Sequence, residues 1–435
     1  ILKFLVPVLL GCVFQQLYNM VDTIIVGKGV GSDALAAVGA TGTIVFFILG
    51  FMNGLTTGFT VLSSQRYGAG DYEGLRKSVG NAFVLGLIVT VIMTIASLLG
   101  MDWLLRIMQT PEDIFDMSKE YIVIICAGII FTTLYNLTAS ILRAVGNSKV
   151  PLYFLILSAL LNVVLDLFFI MVLSWGVAGA AIATVMSRFV ECGYLIIYTY
   201  RHSDKYRFIK GVYSNLHVPS SLVKKILLRG TPLLFNELLW AAGITMQTQA
   251  LSTRGLSAIA GLNISNTLNN VVNTFFLTMG IAISIVIGQL IGAGKLKEAK
   301  ETDTKMITFS LMISLGVSAL LLIAAPLFPR IYNTTGEIRY LATRFILVYV
   351  LATPFNAFTN AAYFTLRSGG KTVMTFIFDS GFIWAVNVPV AMLLAHFTNL
   401  PIVWMFFIIS MLDAIKSVVG FILVKKGDWL NIIVE

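Results

Sequence analysis

Twelve apolar runs, each long enough to cross a bilayer, follow one another along the 435 residues with only short polar gaps between them. A spanning helix needs about 20 mostly apolar residues, each adding about 1.5 Å. The runs lie at roughly 2–27, 34–66, 78–101, 118–143, 150–173, 177–200, 222–253, 257–291, 303–327, 340–367, 372–396 and 401–424. In hydrocarbon every backbone N–H and C=O must be satisfied within the chain, so such runs fold as helices. The expected fold class is all-α: a polytopic membrane protein of twelve transmembrane helices. With 57% hydrophobic and 12% charged residues, the composition excludes a water-soluble chain.

The net charge of +9 does not point to nucleic acid, because the basic residues sit in short loops and no basic run is interleaved with aromatics. Placing the N-terminus inside puts Arg66, Arg76, Lys77, Arg143, Lys149, Arg367, Lys371, Lys425 and Lys426 on the inner side, with the basic loop around 201–221. The outward loop at 102–120 is acidic. Excess positive charge marks the cytoplasmic side, so both termini are expected there. Cys12, Cys126 and Cys192 lie in apolar runs and read as small hydrophobes. His202, His217 and His396 fall in or beside loops without metal-ligand spacing. The first run carries an aspartate and no small-residue cleavage site, so it reads as a spanning helix rather than a signal peptide.

The chain also repeats itself. Gly31-Ser-Asp-Ala-Leu-Ala returns as Gly255-Leu-Ser-Ala-Ile-Ala, and Gln65-Arg-Tyr-Gly-Ala-Gly returns as Gln289-Leu-Ile-Gly-Ala-Gly. Leu142-Arg143 and Gly146 return as Leu366-Arg367 and Gly370. The pairs share one offset of 224 positions (255 − 31, 289 − 65, 370 − 146). Six helices per half is an even number, so the halves have the same orientation. The expected domains are an N-lobe at 1–210 and a C-lobe at 211–435, a parallel repeat with a substrate path between the halves.

Against this apolar background the intramembrane acids stand out. Each costs roughly 2.5–3.5 kcal/mol on insertion scales, so it lines a polar pathway or pairs with something. Asn162 and Asp166 are one helical turn apart on the fifth run and share a face. Gln15, Tyr18, Asn19 and Asp22 form a polar stripe on the first. Counted from the helix ends, Asp22, Asp166 and Thr184 all sit roughly 8–11 Å below the outer surface. Asp22, Asn162, Asp166 and Thr184 are therefore expected to form one oxygen-only cluster. Hard oxygen ligands suit Na⁺. Two adjacent carboxylates equally suit proton exchange.

The second half has its own acids, Glu237 on helix 7 and Asp379 on helix 11, both in the inner half of the bilayer. By the repeat offset they map onto Val13 and Leu155, while Asp22 and Asp166 map onto Met246 and Val390. The charges thus break the symmetry that the scaffold keeps. Two readings stand for Glu237 and Asp379: a substrate-binding or second proton site, to which Gln15 and Asn19 also belong, or satisfied buried acids. Arg188 with Glu191 and Asp413 with Lys416 are expected to form i,i+3 ion pairs within their helices, with Arg188 alternatively a counterion to the cluster.

Together, Leu142-Arg-Ala-Val-Gly-Asn-Ser-Lys-Val-Pro151, Asn162-x-x-x-Asp166, Gly176-Val-Ala-Gly-Ala-Ala-Ile-Ala-Thr184, Val21-Asp22-Thr and the paired Gln-x-x-Gly-Ala-Gly motifs resemble the multidrug and toxic compound extrusion (MATE) transporters. The resemblance covers essentially the whole chain. It implies a bacterial, monomeric, two-lobe exporter in the cytoplasmic membrane, exchanging small-molecule drugs for Na⁺ or H⁺ by alternating access, with lipid around it and no cofactor. Asp22, Asn162, Asp166 and Thr184 match the N-lobe cation site of the DinF-like branch residue by residue. Pro7, fifteen residues before Asp22, resembles that branch's helix-1 proline and is expected to be a hinge, since proline removes a backbone hydrogen bond. The chain departs from the NorM-like branch, whose C-lobe acids lie on helices 7 and 10: the run at 340–367 contains no acid. The alternative function is a flippase for lipid-linked sugar or peptidoglycan precursors, and the mostly acidic intramembrane charge argues against its cationic cavity. An enzyme is not expected, because no HExxH, GxSxG or nucleotide loop occurs at a helix end facing a site.

Overall fold

The structure is a computed structural model. It describes the backbone of residues 2–432 other than 109, 207–219 and 333. It describes the side chains of these residues other than 2, 3, 32, 43, 46, 47, 50, 51, 53–55, 57, 58, 107, 220–231, 233 and 234.

The described chain runs through α1 (Leu2–Gly29), α2 (Ser32–Gly68), α3 (Tyr72–Ile107), α4 (Glu112–Ala144), α5 (Lys149–Asp166) and α6 (Gly176–Arg201). It continues through α7 (Ser220–Ser252), α8 (Leu256–Gly292), α9 (Leu296–Leu327) and α10 (Gly336–Ser368). The last two are α11 (Thr372–Phe397) and α12 (Ile402–Lys426). No strand occurs among the described residues. Ten of the helices are long and apolar enough among the described residues to cross a membrane; α2 and α7 are outside that set, yet each exceeds the length needed. The outer faces fit a lipid environment. Ile88, Ile92, Ile95 and Leu99 are all exposed at spacings of one turn along α3. Such a face would drive aggregation in water and is at home against acyl chains.

The chain divides into two compact units, Ile1–Gly230 and Thr231–Glu435, and α7 straddles the division. The expected boundary at 210/211 and His217 lie outside the described residues. Within the first unit α4 is central and packs on α2, α3 and α6, while α5 packs on α1 and α6. Within the second, α10 takes the central place and packs on α8, α9 and α12. Close approach at these contacts uses small residues: a Cβ on Gly128 of α4 would collide with Val185 of α6. Serines then bind the helices together, Ser158 Oγ donating to the Ser187 carbonyl at 3.1 Å and Ser318 Oγ to the Val350 carbonyl at 2.9 Å.

The repeat seen in sequence is a repeat of turn geometry. After α2, Gly70 N–H donates to the Tyr67 carbonyl at 3.1 Å and Asp71 N–H to the Arg66 carbonyl at 3.0 Å. After α8, Gly294 N–H donates to Ile291 at 3.0 Å and Lys295 N–H to Leu290 at 3.0 Å. Both are Schellman closures, which need a left-handed residue at the turn; Gly70 and Gly294 supply it with φ of 71° and 73°. An aromatic from the segment after the last helix closes each unit as well. Tyr206 is buried and accepts from Asn147 Nδ2, in the α4–α5 turn, at 2.5 Å. Trp429 is fully buried, donates to the Val424 carbonyl at 2.9 Å, and lies so close to Gly369 in the α10–α11 turn that a Cβ there has no room.

Candidate functional site

α1, α5 and α6 bring the first unit's polar residues together. Asp22 is buried at 9% exposure, and Asn162 and Asp166 are fully buried. The Asp22 and Asp166 carboxyl groups lie within hydrogen-bonding reach of each other. When both are ionised neither has a hydrogen to give. Asp22 Oδ1, both Asp166 oxygens and both polar atoms of the Asn162 amide are then buried without a partner. Leaving a buried polar atom unpaired costs about 1–3 kcal/mol. The four oxygens among them form a site short of a proton or a cation.

Thr184 joins the cluster through Tyr18, whose hydroxyl donates to Thr184 Oγ1 at 3.4 Å. Tyr18 is buried and electrostatically coupled to both Asp22 and Asp166. Tyr121 of α4 is buried within the field of the same two carboxyls. Sequence reasoning placed Tyr18 on the stripe without giving it a role and missed Tyr121 altogether. No spacing on α1, α5 or α6 signals a residue brought in by α4.

Beneath the cluster lies the expected Arg188–Glu191 pair, with Nη1 and Oε2 2.7 Å apart. Arg188 also donates to Gln15 Oε1 at 3.2 Å and lies over the Tyr18 ring at 5.3 Å. It is thus both an ion-pair partner and a tie to the α1 stripe. Asn19 is exposed and accepts a 3.4 Å hydrogen bond from Gln15, so it stands at the edge of the buried group. Pro7 is buried within α1, which runs unbroken from Leu2 to Gly29.

In the second unit Asp379 is held on both sides. Its Oδ1 accepts from Lys416 Nζ of α12 at 2.6 Å, and its Oδ2 accepts from Asn236 Nδ2 of α7 at 2.9 Å. The pairing expected between Asp413 and Lys416 is therefore corrected: the ammonium reaches across to α11, where Asp379 is largely buried and offers a carboxylate at shorter range. Glu237 is half-buried and faces the charges of Arg367 and Asp379. Arg367 is itself buried, donating to Tyr363 Oη at 3.4 Å.

Both intramembrane aspartates of α5 and α11 sit at π-helical turns, which the sequence did not signal. Asp166 immediately precedes the π segment Leu167–Val172, and Asp379 lies within the π segment Ile377–Gly381. π turns occur preferentially at functional sites because the wider turn re-aims side chains.

The family model described as MatE matches this chain twice, over residues 7–168 and 232–393. Among curated proteins, probable multidrug resistance protein YoeA of Bacillus subtilis is 30% identical over 413 residues, covering 92% of this chain and 88% of the relative. Probable multidrug resistance protein NorM of Thermotoga maritima is 24% identical over 442 residues, covering 99% and 92%. Among solved structures, an outward-facing multidrug resistance MATE family transporter of the MOP superfamily superposes with a TM-score of 0.90 at 24% identity, over 99% of this chain and 95% of that one. The doubled family match falls on the two halves of the internal repeat, and the all-helical architecture is that of the two-lobe, twelve-helix MATE fold: the chain belongs to the MatE family and is a multi-pass membrane transporter, not an enzyme.

Proposed function

We propose that this transporter exports small organic compounds, cationic ones among them, in exchange for Na⁺ or H⁺ at the Asp22–Asn162–Asp166–Thr184 cluster. The observation that carries the reading is the set of five buried, unpartnered polar atoms on Asp22, Asn162 and Asp166. A proton entering the cluster is shared between the two carboxyls and ends their repulsion. A Na⁺ ion in its place is met by carboxylate, amide and hydroxyl oxygens, the donor set that hard cations prefer. Either removes the penalty on buried charge, so entry of the ion favours a different packing of α1 against α5 and α6. In this reading Pro7 is the hinge, because the carbonyl one turn before it has no N–H to accept from. The relatives' names as multidrug resistance proteins support organic substrates. The excess of basic residues in alternate loops supports cytoplasmic termini, and the bacterial relatives support the cytoplasmic membrane. In this reading the N-lobe is residues 1–210, the C-lobe residues 211–435, and the working unit is a monomer.

The experiment is export of a fluorescent organic cation from proteoliposomes, with a Na⁺ gradient and a pH gradient imposed separately, for wild type and Asp166→Asn. Export driven by one gradient and lost in the variant names the ion. Export indifferent to both gradients and equal in the variant removes the cluster from the mechanism.

A further inference from the structure

The ion pair in the second unit has the composition of an ammonium-binding site. The Lys416 ammonium lies 2.6 Å from Asp379 Oδ1 and 5.3 Å from the centre of the Phe378 ring. A carboxylate with an aromatic face is the combination that recognises primary to quaternary ammonium groups. The carboxylate is fixed in place from behind. Asn236 donates to its other oxygen at 2.9 Å, and Asn236 Oδ1 in turn accepts from the Ser380 hydroxyl at 2.7 Å and the Ser380 N–H at 3.2 Å. The ammonium's side chain is only 10% exposed and the carboxylate's 16%.

The charge balance is uneven. Asp379 lies in the fields of both Asp413 and Glu237, and the bases beside these acids are Lys416 and Arg367. Fully ionised, the group is one positive charge short. Asp413 stands three residues before Lys416 on α12, a spacing at which side chains meet on one helix face. Lys416 therefore has two carboxylates near it: Asp379, with which it pairs at 2.6 Å, and Asp413, with which it forms no salt bridge.

We propose that Asp379 is a binding site for the ammonium group of an organic cation, that Lys416 is a tethered competitor filling it in the unloaded protein, and that Asp413 receives Lys416 when the cation enters. Moving Lys416 from one carboxylate to the other keeps its charge paired, and the incoming cation supplies the missing positive charge. The π turn at Ile377–Gly381 carries both Phe378 and Asp379 and sets them beside the Lys416 ammonium. None of this is repeated in the first unit, where Leu155 and Cys192 stand at the positions of Asp379 and Lys416 by the repeat offset. The inference rests on the reading that organic cations are among the exported compounds, and it concerns residues separate from the Asp22–Asp166 cluster.

The test is equilibrium binding of ethidium to the purified full-length chain, read by fluorescence anisotropy without any gradient. Lys416→Met is expected to tighten binding about tenfold, Asp413→Asn to weaken it about tenfold, and Asp379→Asn to abolish it. Lys295→Gln, at an exposed pair after α8, serves as the control, with unchanged affinity expected. A structural ion pair predicts otherwise: Lys416→Met leaves affinity unchanged or weakens it, and Asp413→Asn does nothing. Either result overturns the proposal, as does the absence of ethidium binding in wild type. Wild type alone provides a second measurement that does not depend on a variant folding. Acylation of Lys416 by a small N-hydroxysuccinimide ester, followed by peptide mass spectrometry, is expected to rise several-fold when ethidium is added. Labelling that stays constant overturns the competitor role.

Discussion

The carboxyl groups of Asp22 on α1 and Asp166 on α5 meet within hydrogen-bonding reach, although neither forms a salt bridge among the described residues. Two acids buried at this range favour holding one proton or one cation between them. Asp22→Asn and Asp166→Asn each keep the shape and remove that capacity. Each variant is expected to reach the membrane folded and to lose about tenfold or more of gradient-driven export. Transport in proteoliposomes and gel filtration of the same preparations check the two halves of that statement. Normal coupled export by either variant would overturn the assignment.

Tyr18→Phe separates the link from the cluster. It removes the hydroxyl that donates to Thr184 and leaves both carboxylates in place. The lost hydrogen bond is worth about 0.5–1.5 kcal/mol. Export is expected to fall by less than in Asp166→Asn, with the same coupling ion. A loss as deep as that of Asp166→Asn would show Tyr18 to be a member of the proton or cation path itself.

Arg188→Met leaves the Glu191 carboxylate buried with its cation gone. Removing one member of a buried pair costs about 3–5 kcal/mol, chiefly as the penalty on the charge left behind. The double variant Arg188→Met, Glu191→Leu buries no charge and is expected to recover most of that stability. Thermal unfolding of the three proteins in one detergent measures it. A single variant as stable as wild type would mean that the pair contributes nothing.

The aromatic closures predict unequal costs. Trp429 is fully buried, and Trp429→Ala is expected to destabilise the second unit by about 3–5 kcal/mol. Tyr206→Phe keeps the ring and gives up only the hydrogen bond from Asn147, about 0.5–1.5 kcal/mol. Gly369→Ala has no space for its Cβ against the Trp429 backbone and is expected to loosen the same segment. Tryptophan fluorescence and proteolysis of the C-terminal segment follow the release. Gly369→Ala with native protection of Trp429 would contradict the packing.

The helix-forming runs were legible because a bilayer leaves the backbone few choices. Length and apolarity alone set where a helix forms, and Gly31, Gly70 and Gly146 with their mates Gly255, Gly294 and Gly370 marked the turns between them. The Asp22–Asn162–Asp166–Thr184 group was legible for a related reason: acids are costly enough in apolar runs to stand out, and counting residues gives depth. Partners on other helices were not. Asp413 and Lys416 satisfy the i,i+3 rule, yet Lys416 goes to Asp379, thirty-seven residues away in sequence. Tyr121 lies in the field of Asp22 and Asp166 from α4, a helix the sequence did not tie to the cluster.

The sequence by itself therefore determined the helices, the repeat and the residues that must be satisfied somewhere, because these follow from local periodicity and the cost of burying polar groups. Only the tertiary structure decided which satisfied which. In the first unit, packing of α1 against α5 and α6 left Asp22 Oδ1, both Asp166 oxygens and the Asn162 amide without partners. In the second, Asn236, Asp379 and Lys416 of α7, α11 and α12 closed on one another. Partner choice depends on distances of a few ångströms between helices far apart in sequence, and no repeat offset or face pattern along a single helix encodes those distances.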